Sequence, residues 1–431
     1  MQKRAIIETY GCTLNQADSD IMAGILSSAG IIVEQGRYEG NGSGYDYVIV
    51  NTCTVKTPTE QKILNRLERL SSLGGRLIVV GCLASADHEK IAKVAPLASI
   101  LNTSNITRIN DAILEVDSGK RATYLQYQRV DKLASFRSSN NSVIARIPIS
   151  EGCLSNCTFC ETKYARGPLN SFSEELIIRA ARMSIERGAK EIELTSQDAG
   201  AYGFDKKTNI AELAMHVSAI DGEFRIRIGM LNPEHLHKYF DELVEAYKNE
   251  KVYKFAHLPV QSGSDNVLKA MRRGYSAEEF KSYVSELRRK VPGISIATDV
   301  IVGYPTETDS DFEKSMALIK EITPSVTNVS KFGARPHAQA SKLKQLPNRI
   351  VKERSIKMSR LVREIQSKSR AALLNTEKTV LITELNGGSF TGRDDSYNEV
   401  AIISGAVHLG EFKKVMIIGN SSGCVLGSAL D

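Results

Sequence analysis

Gly152-Cys153-Leu154-Ser155-Asn156-Cys157-Thr158-Phe159-Cys160 places three thiols on eight residues, directly behind the strand-like run Val143–Pro148. Thiolates this close on one loop suit a soft metal or an iron–sulfur cluster. Three ligands instead of four leave one iron of a [4Fe–4S] cluster open to an exogenous ligand. A structural zinc is the alternative, but it needs a fourth ligand, and the loop holds no His. Cys12, Cys53 and Cys82 form a second, dispersed triplet, each just past a strand-like run: Glu8-Thr-Tyr-Gly-Cys12, Val50-Asn-Thr-Cys53 and Val80-Gly-Cys82. Ligands of an open parallel sheet gather beyond its strand C-termini, so these thiols are expected to converge on a second cluster. The plain alternative is three buried structural cysteines. Cys424 has no partner cysteine nearby and reads as a small core residue.

Outward from these cysteines the chain alternates strand and helix. Ala5–Thr9, Tyr47–Asn51 and Arg76–Val80 read as strands, with helices over Ser19–Ala29 and Thr59–Leu70. That rhythm predicts a doubly wound parallel α/β domain over residues 1–115. The polar segment 134–142 reads as a linker. Strands are expected at Val143–Pro148, Glu191–Thr195, Phe224–Ile228, Lys254–Leu258, Ile294–Val302 and Val326–Phe332. Helices such as Glu174–Arg187 and Ala277–Arg289 separate them. Six parallel strands with crossover helices make a barrel-like or open α/β core, here 139–370, with its chemistry at the strand C-termini. Met358, Leu361, Val362 and Ile365 mark a helix near the end of this region. Strand signals at Thr379–Leu385, Asn398–Ile403 and Lys414–Ile418 then predict a small β-barrel over 371–431.

Composition is that of a globular chain: 431 residues, 42% hydrophobic and 25% charged, which excludes wholesale disorder. No run of 18 apolar residues predicts a membrane span, and no apolar leader follows Met1-Gln2-Lys3-Arg4, so a cytoplasmic location is expected. Seven cysteines, an odd number, argue for metal or redox use over a disulfide framework. The net charge is only +6, but residues 341–370 hold ten Lys/Arg against Glu353 and Glu364, a local +8. Residues 371–431 are net −3. The basic helix at 349–370, with Arg354, Lys357, Arg360 and Arg363, is expected to meet RNA phosphates, the alternative being a solvated face.

The Cys-x3-Cys-x2-Cys loop resembles that of the radical S-adenosylmethionine (SAM) enzymes. With the N-terminal motifs Thr9-Tyr-Gly-Cys12-Thr-Leu-Asn15 and Asn51-Thr-Cys53-Thr-Val, the chain resembles the methylthiotransferases within that superfamily, over essentially its whole length. The resemblance implies a partial (β/α)6 radical SAM barrel between an N-terminal methylthiotransferase domain and a C-terminal TRAM-type β-barrel. It implies two [4Fe–4S] clusters: one cleaves SAM to a 5′-deoxyadenosyl radical, and the other carries the sulfur to be inserted. A second SAM then supplies the methyl group. Gly11–Ser19, Asn51–Glu60 and Thr162-Lys-Tyr-Ala-Arg-Gly167 look like the archaeal and eukaryotic branch, which adds methylthio at C2 of N6-threonylcarbamoyladenosine (t6A) at tRNA position 37. Other tRNA adenosine derivatives and a ribosomal-protein aspartate are alternative substrates; a non-enzymatic iron–sulfur tRNA-binding scaffold is the alternative of another class. Glu161 stands where the family pattern has an apolar residue.

The same resemblance implies an anticodon-loop partner, read by stacking and base edges, and a reductant such as ferredoxin or flavodoxin, and it leaves the sulfur source open. By similarity, Gln261 and Asp299 are SAM-side residues, Gln197 and Asp198 approach SAM or substrate, and Arg166, which follows the cluster loop in a family pattern, is expected to bind the cofactor. Arg272 and Arg273 meet the SAM carboxylate or are simply solvated. The bland reading of the polar strand ends is that they cap strands and start helices. His257 reads as a satisfied core histidine.

Overall fold

Apolar runs buried on both faces need cover on both sides, which a parallel sheet between helix layers supplies. Val48, Ile49 and Val50, and Leu77 to Val80, meet that condition, none being more than 1% exposed. They lie in a six-stranded parallel sheet ordered Ile32–Gln35, Arg4–Thr9, Tyr47–Thr52, Leu77–Gly81, Ser99–Leu101 and Thr123–Tyr124. The order reverses between Arg4–Thr9 and Tyr47–Thr52, where such sheets open a crevice at their C-terminal ends. Cys12 follows the first of those strands and Cys53 the second. The structure, a computed structural model, describes residues 2–40, 44–54, 57–136, 142–421 and 423–430. Residues 137–141 of the expected linker, and Val55 and Lys56 of the second cysteine motif, lie outside the described residues.

The first helix, Thr13–Ser28, begins six residues before the stretch expected. Asn15, Asp18 and Ser19 are buried in it, and their polarity hides the helix start from a hydrophobicity pattern. The helix packs against the strand Ile144–Pro148 of the second unit, so this polar face meets protein, not water.

The six central strands form where expected, in two parallel sheets. Ile144–Pro148, Glu191–Thr195 and Arg225–Ile228 make one, and Phe255–His257, Ser295–Val302 and Val326–Lys331 the other. Ile226 bridges Val252 between them, so the strands run as one curved series. Helices Ala277–Lys290 and Asp309–Ile322 start with capping boxes, Ser276 with Glu279 and Thr308 with Asp311, which define their entry sharply.

The last five strands close into a barrel, in the order Glu377–Asn386, Ser389–Asp394, Glu399–Ser404, Val425–Ala429 and Phe412–Asn420. Val380, Ile382, Val400, Val415, Ile417 and Val425 fill it. Two of these strands are silent in the sequence, and they carry Gly392 and Gly427. A Cβ on either would stand 2.3 Å from Leu381 O or Val415 Cγ1, so the closure that needs glycine also erases the strand pattern. Cys424 is half-buried in the turn before the last strand, its Sγ 3.3 Å from Ser421 Oγ, and is not a core residue of the barrel.

This barrel docks through the turn at Asp395–Tyr397. The Lys254 N–H donates to Asp395 O at 2.8 Å, Ser396 Oγ to Gly293 O at 2.8 Å, and Tyr397 Oη to Glu191 Oε1 at 2.8 Å. Glu191, Lys254 and Gly293 stand at or just before the starts of central strands, the end opposite the cysteine loop. The helix Asn348–Ala371 joins the two ends; its 24 residues span about 36 Å.

Candidate functional site

The cysteine loop is shaped by its own backbone. Gly152 sits at φ 74, and a Cβ there would lie 2.1 Å from Pro168 O. The Cys153 N–H donates to Gly167 O at 3.3 Å, the Cys160 N–H to Cys157 O at 3.2 Å, and the Thr162 N–H to Cys160 Sγ at 3.4 Å. Arg273 Nη1 donates to Cys157 Sγ at 3.3 Å, while its Nη2 and Nε bind Pro259 O and Tyr275 Oη. Burial pushes the Cys153 thiol up to about 12, with Asp198 and Cys160 adding to it. Burial also raises Cys157, against the pull of Arg273. Metal binding here must therefore displace thiol protons. Of the arginine doublet, Arg272 is exposed at φ 57 and only Arg273 reaches the loop.

The dispersed cysteines gather around Asn15. Its Oδ1 lies 3.7 Å from Cys12 Sγ and 3.7 Å from Cys82 Sγ, while its Nδ2 donates to Tyr10 O and Thr52 O. Cys53 closes on the same loop, since a Cβ at Gly11 would stand 2.9 Å from Cys53 Sγ. Cys53 and Cys82 are buried and Cys12 is exposed, so the group opens on one side. Burial pushes Cys82 up to about 12. Asn15, one helical turn beyond Cys12, thus stands between two of the thiols, and the only signal for it in the sequence is its i+3 spacing from Cys12.

The two groups meet across the domain interface. The short helices Cys82–Ala86 and Thr162–Arg166 pack together, with Ala165 against Cys82 and Ala86. Glu161 is buried and accepts a hydrogen bond from Thr54 Oγ1 at 3.0 Å. The departure from an apolar residue beside Cys160 thus joins it to the neighbour of Cys53. Glu60 adds a second tie, accepting from Arg335 Nη1 at 2.8 Å and Lys90 Nζ at 3.0 Å. Arg166, expected on the SAM side, is fully buried and turned to the N-terminal unit. Its Nε donates to Cys82 Sγ at 3.2 Å, its Nη1 to Glu151, and its Nη2 to Asn15 and Asp18.

The polar strand ends line the rim beside the cysteine loop. Asp198 Oδ1 accepts from the N–H groups of Gly200 and Asn232 at 3.0 Å each, and Asn232 and Glu234 hold Ser155 of the loop. Ser196 Oγ and Gln197 Oε1 are buried without a hydrogen-bond partner among the described residues, capacity that a polar cofactor could satisfy. Gln261 is buried at φ 69, held by backbone bonds to Asp299 and Ile301 at 2.8 and 2.9 Å. Asp299 pairs with His257 Nε2 at 3.1 Å and accepts from Asn328 Nδ2 at 2.7 Å; both members of the His257–Asp299 pair are half-buried, so His257 is not a core residue.

The four expected RNA contacts divide. Lys357, Arg360 and Arg363 are exposed. Arg354 is not: it is buried, donating to Glu307 Oε2 at 2.6 Å and Asp309 Oδ1 at 2.7 Å. It lies on the packed stripe with Val351, Met358 and Val362 and anchors the helix.

Among the described residues, no three of His, Cys, Asp or Glu crowd together as ligands of one metal ion must. One triplet shares a single loop and the other converges from three strand ends, and either is a donor set that fits a cluster whose irons each take one cysteine. No helix among them is long and apolar enough to cross a membrane.

Comparison with known proteins finds two family matches along the chain. A profile of the radical SAM superfamily matches residues 147–319, and one described as uncharacterized protein family UPF0004 matches residues 4–102. TsrM, a radical S-adenosylmethionine methyltransferase from Kitasatospora setae solved with cobalamin and a [4Fe-4S] cluster bound, superposes with TM-score 0.58. That match covers 79% of this chain and 77% of TsrM at 12% identity, a likeness of fold alone. The chain is 41% identical to a Pyrococcus abyssi protein named "Probable threonylcarbamoyladenosine tRNA methylthiotransferase", over 98% of this chain and 99% of that one. An Archaeoglobus fulgidus protein of the same name is 41% identical over 96% of each chain. The human "Threonylcarbamoyladenosine tRNA methylthiotransferase" is 32% identical over 95% of this chain and 71% of its own. Similarity at this level, carried from one end of the chain to the other, leaves one family: this chain belongs to the threonylcarbamoyladenosine tRNA methylthiotransferases of the radical SAM superfamily.

Proposed function

We propose that this chain converts t6A at position 37 of tRNA to its 2-methylthio derivative, using SAM and two [4Fe–4S] clusters. Cys153, Cys157 and Cys160 hold one cluster, and Cys12, Cys53 and Cys82 the other. The observation that carries the reading is the meeting of the two thiol groups across one buried interface, where Glu161 beside Cys160 binds Thr54 beside Cys53. When bound, the clusters and SAM supply radical hydrogen abstraction and a sulfur source at the same carbon. The chain's own part is orientation and exclusion of water. Arg273 and the loop amides fix the barrel thiols, and Gln197, Gln261 and Asp299 supply polar atoms toward SAM.

For tRNA, Lys357, Arg360 and Arg363 offer phosphate contacts along the exposed side of the helix Asn348–Ala371. The C-terminal barrel, read as a TRAM domain, contributes less charge than its lysines suggest. Arg393, Lys413 and Lys414 are paired with Glu399, Glu411 and Glu377 at 3.0, 3.8 and 3.1 Å. A ferredoxin- or flavodoxin-type reductant and a cytoplasmic setting complete the proposal. The test is iron counting joined to product analysis. Anaerobic reconstitution should give about eight iron per chain. Replacing Cys153, Cys157 and Cys160 by Ala should halve the iron and abolish 5′-deoxyadenosine. Replacing Cys12, Cys53 and Cys82 should halve the iron, keep 5′-deoxyadenosine and lose the methylthio product. Full iron in that second variant would contradict the second cluster.

A further inference from the structure

Four charged side chains close a ring inside the domain interface. Arg166 pairs with Asp18 at 2.9 Å and Glu151 at 2.9 Å, and Lys132 pairs with the same two carboxylates at 2.8 and 2.7 Å. None of the four side chains is more than 4% exposed. Two cations and two carboxylates balance, so the guanidinium is neutralised before its other N–H groups are considered. One of these, on Nε, donates to Cys82 Sγ at 3.2 Å, and another, on Nη2, donates at 2.7 Å to Asn15, the residue between Cys12 and Cys82.

Stability alone is a poor reason for such a ring, because well-packed apolar side chains often serve a buried site as well or better. Its geometry is more informative. The members come from the first helix, the turn Lys132–Ser135, Glu151 two residues before Cys153, and the end of the helix Thr162–Arg166. A planar, five-donor fork held on two sides by carboxylates presents its Nε–H in one direction only, which a lysine cannot reproduce. An N–H directed at a ligand sulfur favours the more negative, reduced state of a cluster and so raises its potential.

We propose that Arg166 is a positioning residue for the N-terminal thiol group: locked by Asp18 and Glu151, it fixes the placement of Cys82 and raises the reduction potential of the cluster that Cys82 ligates. This rests on the two-cluster reading above. The test uses the full chain with Cys153, Cys157 and Cys160 replaced by Ala, reconstituted anaerobically and followed by EPR-monitored redox titration. Arg166→Lys in that background should shift the remaining cluster to a more negative potential. Arg335→Lys, the same change at another buried interdomain pair, should leave the potential in place. Should Arg166→Lys not fold, Glu151→Gln removes one anchor and should give a smaller shift of the same sign. An unchanged potential in the Arg166 or Glu151 variant, or an equal shift in the Arg335 variant, overturns the proposal. A background protein that binds no iron at all overturns instead the two-cluster reading on which it rests.

Discussion

Arg272 and Arg273 are adjacent in sequence and differ in role because the backbone turns between them. The left-handed φ of 57 at Arg272 leaves its side chain in solvent and sends Arg273 to Cys157. Nothing in the residue pair announces that division, whereas the cysteine spacing announces itself through ligand chemistry. Arg273→Ala leaves the buried Cys157 sulfur without its donor, while Pro259 O keeps the Tyr275 hydroxyl at 3.1 Å, and should cost about 2–3 kcal/mol in urea unfolding. It should also reduce iron at the barrel site. Arg272→Ala should stay within about 0.5 kcal/mol of the parent, as exposed substitutions do. Gly152→Ala is expected to be more damaging than either for cluster loading, since its Cβ would lie 2.1 Å from Pro168 O at φ 74. Iron retained at the parent level in Gly152→Ala would show that the loop has another way to fold.

At the scale of the element, the helix Asn348–Ala371 shows how far periodicity reaches. The stripe of Met358, Leu361, Val362 and Ile365 was legible, and it places the helix correctly. Extended backward by four and seven residues from Met358, the same stripe reaches Arg354 and Val351, both buried. A basic residue on an apolar stripe is the signal that separates an anchor from a solvated charge. Glu307, its fully buried partner, would be left uncompensated by Arg354→Ala, at a cost of about 3 kcal/mol. The salt dependence of tRNA binding should hardly change. Neutralising Lys357, Arg360 and Arg363 together should do the reverse, leaving stability near the parent and lowering the slope of log K against log salt by roughly 2 to 3. A slope that falls only with Arg354 would reverse these assignments.

Across the whole molecule, the order of units and most strands could be read from the sequence, but their mutual seating could not. The interface ring joins residues 18, 132, 151 and 166, which no local pattern connects, and the small barrel docks at the strand starts by way of a turn. There burial, with Glu193 nearby, pushes the Glu191 carboxyl up from near 4.5 to about 7. Tyr253 and Tyr397 donate to it at 3.2 and 2.8 Å, with Arg227 and Arg393 also acting on it. Between pH 4.5 and 7 the folded chain keeps a proton that the unfolded chain has lost, so stability should fall as pH rises through that window and level off above it. Denaturant midpoints from pH 5 to 8 should show that decline, and Glu191→Gln should flatten it. The seating matters most at the other end, where the two thiol groups meet and methylthiolation is proposed to occur. Nucleoside mass spectrometry of t6A-containing tRNA after anaerobic incubation with the reconstituted chain, SAM, sulfide and reductant tests that most directly. The 2-methylthio derivative of t6A should appear with the parent chain and be absent when either cysteine triplet is replaced. Unmodified t6A alongside methylthio on a ribosomal protein, or product persisting without Cys12, Cys53 and Cys82, would contradict it.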